Sequence, residues 1–286
     1  MGLVKSLLII HDEYSKYLKK SIEVNSRNNH IYLIGNKSVN VFSNNKNVEF
    51  IDLQKYTSSN KFSNIQKKFI KYGDKSFQWH YFNLIRMMVY KDFMEEYKIS
   101  EVFSCDSDNI LLDNINKYPF SKKNALCIPT LWDEFYHASS IHSGLISIDF
   151  AQKYEILYDD IFINRSKFNL VEEKINYHKT HRGGLTDMTL YHIMISTGIV
   201  EAQNLLEPIL IDDEKCIFIN NFSNGEGPKS QNQYKLRKGK IQIKKQAGKN
   251  YVYDEIEKTT LRTFNIHFQG TAKKDLNWRL SQKIVY

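Results

Sequence analysis

Three short apolar runs, Leu7-Leu-Ile-Ile10, Ile31-Tyr-Leu-Ile34 and Val48-Glu-Phe-Ile-Asp52, recur within the first fifty or so residues. Between the first two, Tyr14 to Asn25 carries the three-to-four-residue spacing of an amphipathic helix. Apolar runs of this length, closed by turn residues such as Gly35-Asn36, read as buried strands. Strand and helix in turn call for a parallel sheet covered by helices, an α/β fold. A long helical segment from Phe77 to Tyr97 repeats the pattern, with Phe82, Ile85, Met88 or Val89, Phe93 and Tyr97 on one face, and delivers the chain into a further strand, Glu101-Val-Phe-Ser104. The second half is more mixed. Ile141 to Ile148 reads as a strand, Asp149 to Tyr158 and Leu185 to Ser196 as helices, and Asn220 to Pro228 as a turn-rich break. With no internal repeat and no long linker, the expectation is one domain over residues 1–286, a first half to residue 115 and an elaborated C-terminal half from 116.

A hydrophobic content of 42%, with 13% aromatics, supplies an ample core for such a sheet. No run approaches 18 apolar residues, so the sequence predicts no spanning helix. The start, Met1-Gly-Leu-Val-Lys-Ser-Leu-Leu-Ile-Ile10, has no small-residue cleavage site and runs straight into a strand, which predicts a cytoplasmic protein. Three cysteines, Cys105, Cys127 and Cys216, lack the number and spacing of a disulfide framework or zinc site, and Cys105 reads as a small buried filler.

The net charge of +8 is concentrated. Residues 227–253 hold Lys229, Lys235, Arg237, Lys238, Lys240, Lys244, Lys245 and Lys249 and no acid, which equals the whole excess. Such a segment attracts an anionic surface, a glycan, lipid or nucleic acid, or is simply a solvated hairpin or mobile loop. It matches no nucleic-acid module and has few aromatics apart from Tyr234, Tyr251 and Tyr253, so nucleic acid is the weakest of these partners.

The chemistry gathers at Phe103-Ser-Cys-Asp-Ser-Asp-Asn-Ile-Leu-Leu112, where Asp106 and Asp108 stand two residues apart at the end of a strand. If the strand continued through them, the pleat would place both carboxylates on one face. Hard oxygen ligands of this kind suit Mg2+ or Mn2+ shared with phosphate oxygens. The carboxyl ends of parallel strands are also where open α/β sheets bind ligands. A solvated turn after the strand is the competing reading, because Asp-x-Asp recurs by chance among 32 acids.

The order of these pieces resembles the metal-dependent GT-A glycosyltransferases, a Rossmann-like, mostly parallel fold, and within them the group of bacterial galactosyl- and glucosyltransferases related to glycogenin. Four segments carry the resemblance. Ile9-Ile-His-Asp-Glu-Tyr-Ser-Lys-Tyr-Leu18 is similar to the family's first strand and turn, which implies that Asp12 and Tyr14 hold a uracil base. Phe82-Asn-Leu-Ile-Arg86 looks like the helix whose Arg faces the donor, and Cys105-Asp-Ser-Asp108 matches the dyad. Ile266-His-Phe-Gln-Gly-Thr-Ala-Lys273 is similar to a C-terminal His-x-x-Gly-x-x-Lys pattern, which implies His267 as third metal ligand beside Asp106 and Asp108, and Lys273 at the diphosphate. Gly270 would let the backbone approach a phosphate, and Lys273 would supply a point charge. The family's Lys-Pro-Trp is Lys273-Lys-Asp275 here.

The resemblance extends to two middle segments. His142-Ser-Gly-Leu-Ile-Ser147 looks like the strand whose backbone lies under the donor sugar, at Gly144, although a glycine in a strand can answer to packing alone. Gly183-Gly-Leu-Thr-Asp-Met-Thr189 looks like the segment presenting an acid near the reacting sugar, so Asp187 is the expected catalytic group, with helix capping by Thr186 or Asp187 as the alternative. Trp132-Asp-Glu-Phe-Tyr136 and His137 could line a sugar subsite or be buried core aromatics. What the resemblance implies is a transferase moving a sugar from a UDP-sugar donor to a glycan or lipid-linked glycan, with retention of configuration. An inverting enzyme would need a base, for which Asp187, Asp133 and Glu134 are the candidates. A metal-dependent nucleotidyltransferase would use the same dyad, but no Gly-rich phosphate loop follows the first strand. The basic segment and Trp278 would bring the chain to an anionic membrane face.

Overall fold

The computed structural model describes residues 5–129, 138–274 and 276. Strands β1 (Leu7–Ile10), β2 (Ile31–Gly35), β3 (Val48–Asp52) and β4 (Glu101–Cys105) lie parallel in the order β3-β2-β1-β4. After β4 the chain turns into β5 (Asn109–Leu111), which leaves this sheet. Strands β6 (Ala125–Cys127), β7 (Ser140–Ser147) and β8 (Gln203–Asn204) complete a seven-stranded sheet, with β7 antiparallel to both β4 and β6. The fold is therefore α/β with a mostly parallel central sheet, as the alternation of runs predicts.

Period-two alternation sorts the strand side chains onto two faces. Leu8, Ile10, Ile34, Ile51 and Val102 pack with Met88, Phe93, Phe150, Tyr154 and Tyr191. Leu7, Ile9, Ile31, Leu33 and Phe103 pack with Leu18 and Ile22 and with Phe218 and Phe264 from the C-terminal half. The helices are α1 (Lys16–Asn25), the short α2 (Gln54–Thr57) and α3 (Asn60–Lys68), α4 (Phe77–Glu96), α5 (Ile148–Tyr158), α6 (Asn169–Tyr177) and α7 (Asp187–Ser196). Serine caps set three of their starts: Ser15 Oγ accepts from the Leu18 amide and Ser76 Oγ from the Trp79 amide, both at 3.2 Å, and Ser147 Oγ from the Phe150 amide at 3.1 Å. That is why α1 begins at Lys16 rather than at Tyr14.

The C-terminal half forms β9 (Ile209–Ile211), β10 (Glu214–Ile217), the hairpin β11 (Leu236–Arg237) and β12 (Lys240–Ile241), then β13 (Lys244–Gln246), β14 (Lys249–Asp254) and β15 (Thr259–Thr263). A five-stranded sheet runs β13-β14-β15-β10-β9 over a third cluster that includes Ile217, Ile219, Val252, Leu261 and Phe268. The basic segment is thus two hairpins. Lys238-Gly239 and Ala247-Gly248 make their turns with φ of 51°, 69°, 48° and 80°, the left-handed pairs that match strand twist in two-residue hairpin loops.

The last strand, β16 (Asn265–His267), pairs antiparallel with β5, Asn265 opposite Leu111 and His267 opposite Asn109. Three residues per strand are too few to hold a register alone, and buried asparagines fix it. Asn265 Nδ2 reaches Asn109 Oδ1 (2.9 Å), the Ile219 carbonyl (3.1 Å) and Ser143 Oγ (3.2 Å), while its Oδ1 accepts from the Ile219 amide at 2.6 Å. Asn109 Nδ2 donates to Ser143 Oγ (2.7 Å) and the His142 carbonyl (2.8 Å). Asn25, at the end of α1, donates to the Asn109 carbonyl (3.0 Å) and accepts from the Leu111 amide (2.7 Å). Asn265→Ala should lower unfolding free energy by about 3 kcal/mol, because the buried Ile219 amide and Asn109 Oδ1 lose a partner at about 1–3 kcal/mol each. Urea denaturation followed by circular dichroism measures it, and a loss below about 1 kcal/mol would show that the ribbon's register has another source.

Candidate metal centre

β4 ends at Cys105, so Asp106 and Asp108 stand in a turn rather than on a pleated strand: the Asn109 amide bonds the Asp106 carbonyl at 3.0 Å, and the Asp106 amide bonds the His142 carbonyl at 3.0 Å. The turn, not strand alternation, brings the two carboxylates to one side. The β5–β16 ladder then sets His267 beside them, with the Phe268 amide on the Asp108 carbonyl at 2.9 Å. One ligand atom each from Asp106, Asp108 and His267 lie within 4.8 Å of one another. His267 Nε2 is 3.5 Å from Asp108 Oδ1, and Lys273 Nζ is 3.0 Å from Asp108 Oδ2.

The imidazole is oriented from behind. His267 Nδ1 donates to the Asn220 carbonyl at 2.5 Å, and because a carbonyl only accepts, Nδ1 carries a proton and Nε2 is the atom turned to Asp108. His142 stacks on the ring with centroids 3.9 Å apart. Burial disfavours charge on both Asp108 and His267, yet their mutual pairing outweighs it. The Asp108 carboxyl is held well below the usual carboxylate range by His267 and Lys273, and the His267 imidazole is raised by Asp108. A divalent cation would take the place of the His267 Nε2 proton, and two carboxylates with an imidazole fixed in this tautomer form a donor set that fits Mn2+ or Mg2+.

Arg86, on α4, extends the charge chain. Its Nη1 lies 3.1 Å from Asp106 Oδ1 and its Nε 2.5 Å from Asp187 Oδ2. Asp187 is 1% exposed and also accepts from Tyr191 Oη at 3.0 Å. Burial raises its carboxyl, against the pull of Arg86. Thr186 occupies the N-cap of α7 and makes no side-chain capping bond. The carboxylate of Asp187 thus serves Arg86 rather than the helix end.

The remaining residues singled out from the sequence spread around this centre. Asp12 and Tyr14 follow β1. Tyr14 is 45% exposed and stacks on Phe42 through one face, with rings 5.8 Å apart and nearly parallel. Gly270 has φ of 60° with open space where a Cβ would stand, so the backbone is approachable there. Gly144 sits inside the sheet opposite Ser104, and an added Cβ would lie 3.1 Å from the Ala125 carbonyl, a packing reason for glycine of its own. Trp132 to Tyr136, His137, Asp133, Glu134 and Trp278 lie outside the described residues. Sequence reasoning missed His11, whose pKa is lowered by burial and by Lys273, against the fields of Asp108, Asp12 and Asp106. Its place just past the end of β1, adjoining Asp12, is the signal that could have found it. Tyr17 was missed as well; its ring lies under Lys273 Nζ at 4.7 Å.

No protein-family model matches the chain and no curated protein matches its sequence. Among solved structures it is similar to mouse xyloside xylosyltransferase 1 in its apo form, at 14% identity over 70% of this chain and 84% of that one, with a TM-score of 0.49. The glycosyltransferase GlyE of Streptococcus pneumoniae TIGR4 aligns at 14% identity over 70% of this chain and 45% of its own, TM-score 0.39. A glycosyltransferase involved in glycosylation of the major capsid of PBCV-1 aligns at 10% identity over 73% and 86%, TM-score 0.38. All three scores fall below 0.5, so what the chain does is read from its own residues.

The geometry sets a sign for metal binding. Lys273 neutralises Asp108 and competes with a cation for it, so Lys273→Met should bind Mn2+ at least as tightly as the parent protein. Asp108→Asn should bind it at least about tenfold more weakly, a difference of about 1.4 kcal/mol. Electron paramagnetic resonance of free Mn2+ measures both, and equal affinity in Asp108→Asn would remove Asp108 from the ligand set.

Proposed function

We propose that this chain transfers a sugar from a nucleotide sugar, a UDP-sugar, to a glycan or lipid-linked glycan, with Mn2+ or Mg2+ held by Asp106, Asp108 and His267. One observation carries the reading. An imidazole from the end of β16 and an ammonium six residues further along the chain converge on Asp108, one of a carboxylate pair just past the carboxyl end of a parallel strand, the ligand-binding end of such sheets. A bound divalent ion would supply Lewis-acid neutralisation of the departing diphosphate. The chain's own groups do the rest. Lys273 adds a positive charge where the leaving group becomes more negative. Tyr14 offers its open ring face to the base, with Asp12 as hydrogen-bond acceptor. Gly270 and Gly144 keep backbone close to phosphate and sugar. Arg86 faces the donor, and Asp187, sealed behind it, fixes the guanidinium and so acts on the sugar through Arg86. With the nearest described acid committed to Arg86, the reaction is read as retaining, without a dedicated base.

Incubation with UDP-glucose, UDP-galactose, UDP-N-acetylglucosamine and GDP-mannose in Mn2+ tests this directly. Slow hydrolysis of one UDP-sugar, abolished by EDTA and cut at least tenfold in Asp108→Asn, is expected; tenfold corresponds to about 1.4 kcal/mol of barrier. Hydrolysis insensitive to EDTA, or none with any donor, would overturn the reading.

Recruitment to an anionic membrane face is proposed for the two basic hairpins. No helix among the described residues is long and apolar enough to cross a membrane. Lys229 pairs with Glu257 and Lys249 with Glu214, each at 2.6 Å, while Lys244 and Lys245 stand exposed on the sheet-edge strand β13. Near an anionic bilayer each such cation contributes on the order of 1 kcal/mol, screened by salt. Sedimentation with phosphatidylserine vesicles should be strong at low salt and lost when Arg237, Lys238, Lys244 and Lys245 become Gln. Persistence in that variant would leave these lysines as protection of a sheet edge against aggregation.

A further inference from the structure

Two stretches that meet at the start of α4 carry a charge that no ion pair takes up. Residues 67–76 close α3 and lead into α4, and residues 178–184 join α6 to α7. They are sewn together: the Asp74 amide donates to the Gly183 carbonyl at 3.0 Å, the Leu185 amide to the Tyr72 carbonyl at 2.8 Å, and Gly73 pairs with Gly184. Lys67, Lys68, Lys71, Lys75, Lys179 and Arg182 stand exposed on them against a single acid, Asp74. None of the six forms an ion pair among the described residues. This second basic surface is hidden in the sequence because its two halves lie about a hundred residues apart and acids elsewhere balance it.

Beside this charge α4 opens with two exposed rings. Phe77 is braced by Phe69 and Tyr81, with centroids 5.1 and 6.1 Å away. Trp79 is 45% exposed and meets the buried His80 ring at right angles, centroids 5.1 Å apart. His80 Nδ1 in turn donates to the Leu185 carbonyl at 3.2 Å, two residues before Asp187. Trp79 and Arg86 are seven residues apart on α4, so they share one stripe of the helix, about 10 Å apart along its axis. Arg86 is sealed against Asp106 and Asp187, while Trp79 stands two turns further out on the same stripe and in solvent. The cations call for an anion, and the rings narrow its kind. Inorganic phosphate would leave the rings idle. A bilayer would draw on the exposed Ile70, but it needs aromatic side chains free to sink in, and these are held from the side by Phe69, Tyr81 and His80. A fixed indole face with cations around it suits a pyranose ring that bears acid groups.

We propose that these two stretches and Trp79 dock the acceptor, and that the acceptor is an acidic glycan whose hexopyranose units carry carboxylate or phosphate groups. The proposal rests on the sugar-transfer reading and names the acceptor class which that reading leaves open. Trp79 takes a sugar face, and Lys71, Lys75 and Arg182 take the acid groups of neighbouring units.

Saturation-transfer difference NMR of the whole protein with tetragalacturonate, tetramannuronate and 6-phosphorylated maltotetraose tests it, with galactotetraose and plain maltotetraose as neutral controls. At least one acidic tetrasaccharide should bind at least about tenfold more tightly than its neutral counterpart, and more weakly as salt rises. Lys71→Gln, Lys75→Gln and Arg182→Gln together should erase that margin, which is about what three exposed ion pairs supply, and flatten the salt dependence. Trp79→Ala should weaken binding at least about threefold and leave the salt dependence as it was. All four side chains are exposed, so both variants should keep the parent's circular dichroism. The hairpin variant at Arg237, Lys238, Lys244 and Lys245 should keep its oligosaccharide binding, and the Lys71, Lys75 and Arg182 variant should still sediment with phosphatidylserine vesicles. No binding of any acidic tetrasaccharide, equal binding of the neutral ones, binding that survives both variants or is lost with the hairpins, or a loss of vesicle sedimentation in place of oligosaccharide binding would each overturn the proposal. A parent protein that binds the acidic tetrasaccharide through these residues but hydrolyses no nucleotide sugar would instead count against the transferase reading and leave the binding standing.

Discussion

The pairing of β5 with β16 is the contact on which the functional end of the molecule depends. It joins residues 158 positions apart, His267 to Asn109, and sets the imidazole beside the turn that carries Asp106 and Asp108. A three-residue ladder supplies few bonds of its own. Asn25, Asn109 and Asn265 therefore act as its frame, each using both ends of a planar amide to tie backbone from α1, β7 and the Ile219 segment to the ribbon. Amides suit the task because they donate and accept in the same rigid plane and carry no charge to desolvate. Fully satisfied, such a network specifies a single arrangement.

Two chains of charge meet on that frame. One runs Asp187, Arg86, Asp106; the other runs from His267 and Lys273 to Asp108. Burial opposes the charge on Arg86, Asp187, Asp108, His267 and Lys273. Arg86 stays well above its ordinary value only because two carboxylates outweigh the loss of water, and Asp108 is held down for the same reason with the signs reversed. Asp106 differs in exposure, its side chain 30% accessible against 9% for Asp108. It is the more open carboxylate of the two, and Asp108 is the one anchored by the fold.

Much of the first half was legible in the sequence because local patterns decide it. The four apolar runs became β1 to β4, Phe77 to Tyr97 became α4 with Tyr97 as its C-cap, and Cys105 is fully buried. The dyad and His267 were legible as residue types at a spacing. Their geometry was not, since a turn replaced the pleat and the ribbon that unites them leaves no periodic trace in two three-residue strands. Asp187 illustrates the limit. Its neighbours in sequence suggest a cap or an exposed acid, whereas α4, about a hundred residues earlier, claims it through Arg86. In the basic segment Lys238-Gly239 was a hairpin signal hidden by the charge around it, and Ala247-Gly248 places a non-glycine residue at positive φ where composition alone gives no warning.

Charge balance at the centre bears on the proposed pairing of a metal with a diphosphate there. Asp106, Asp108 and Asp187 bring three negative charges, met by Arg86, Lys273 and, when it is protonated, His267, whose charged form Asp108 favours. A divalent ion that takes the place of the imidazole proton leaves a net excess of one positive charge in a buried setting, where uncompensated charge is costly. A nucleotide sugar brings two negative charges on its diphosphate and reverses that excess to one negative charge, with Lys273 able to turn from Asp108 toward the phosphate oxygens while the ion holds the carboxylate. On this count neither proposed guest alone would suit the site as well as the pair. On the proposed reading, the lysine that pairs with Asp108 in the free protein would be the same lysine that helps to hold the leaving group once both guests were bound, a thermodynamic coupling between two ligands made by one side chain.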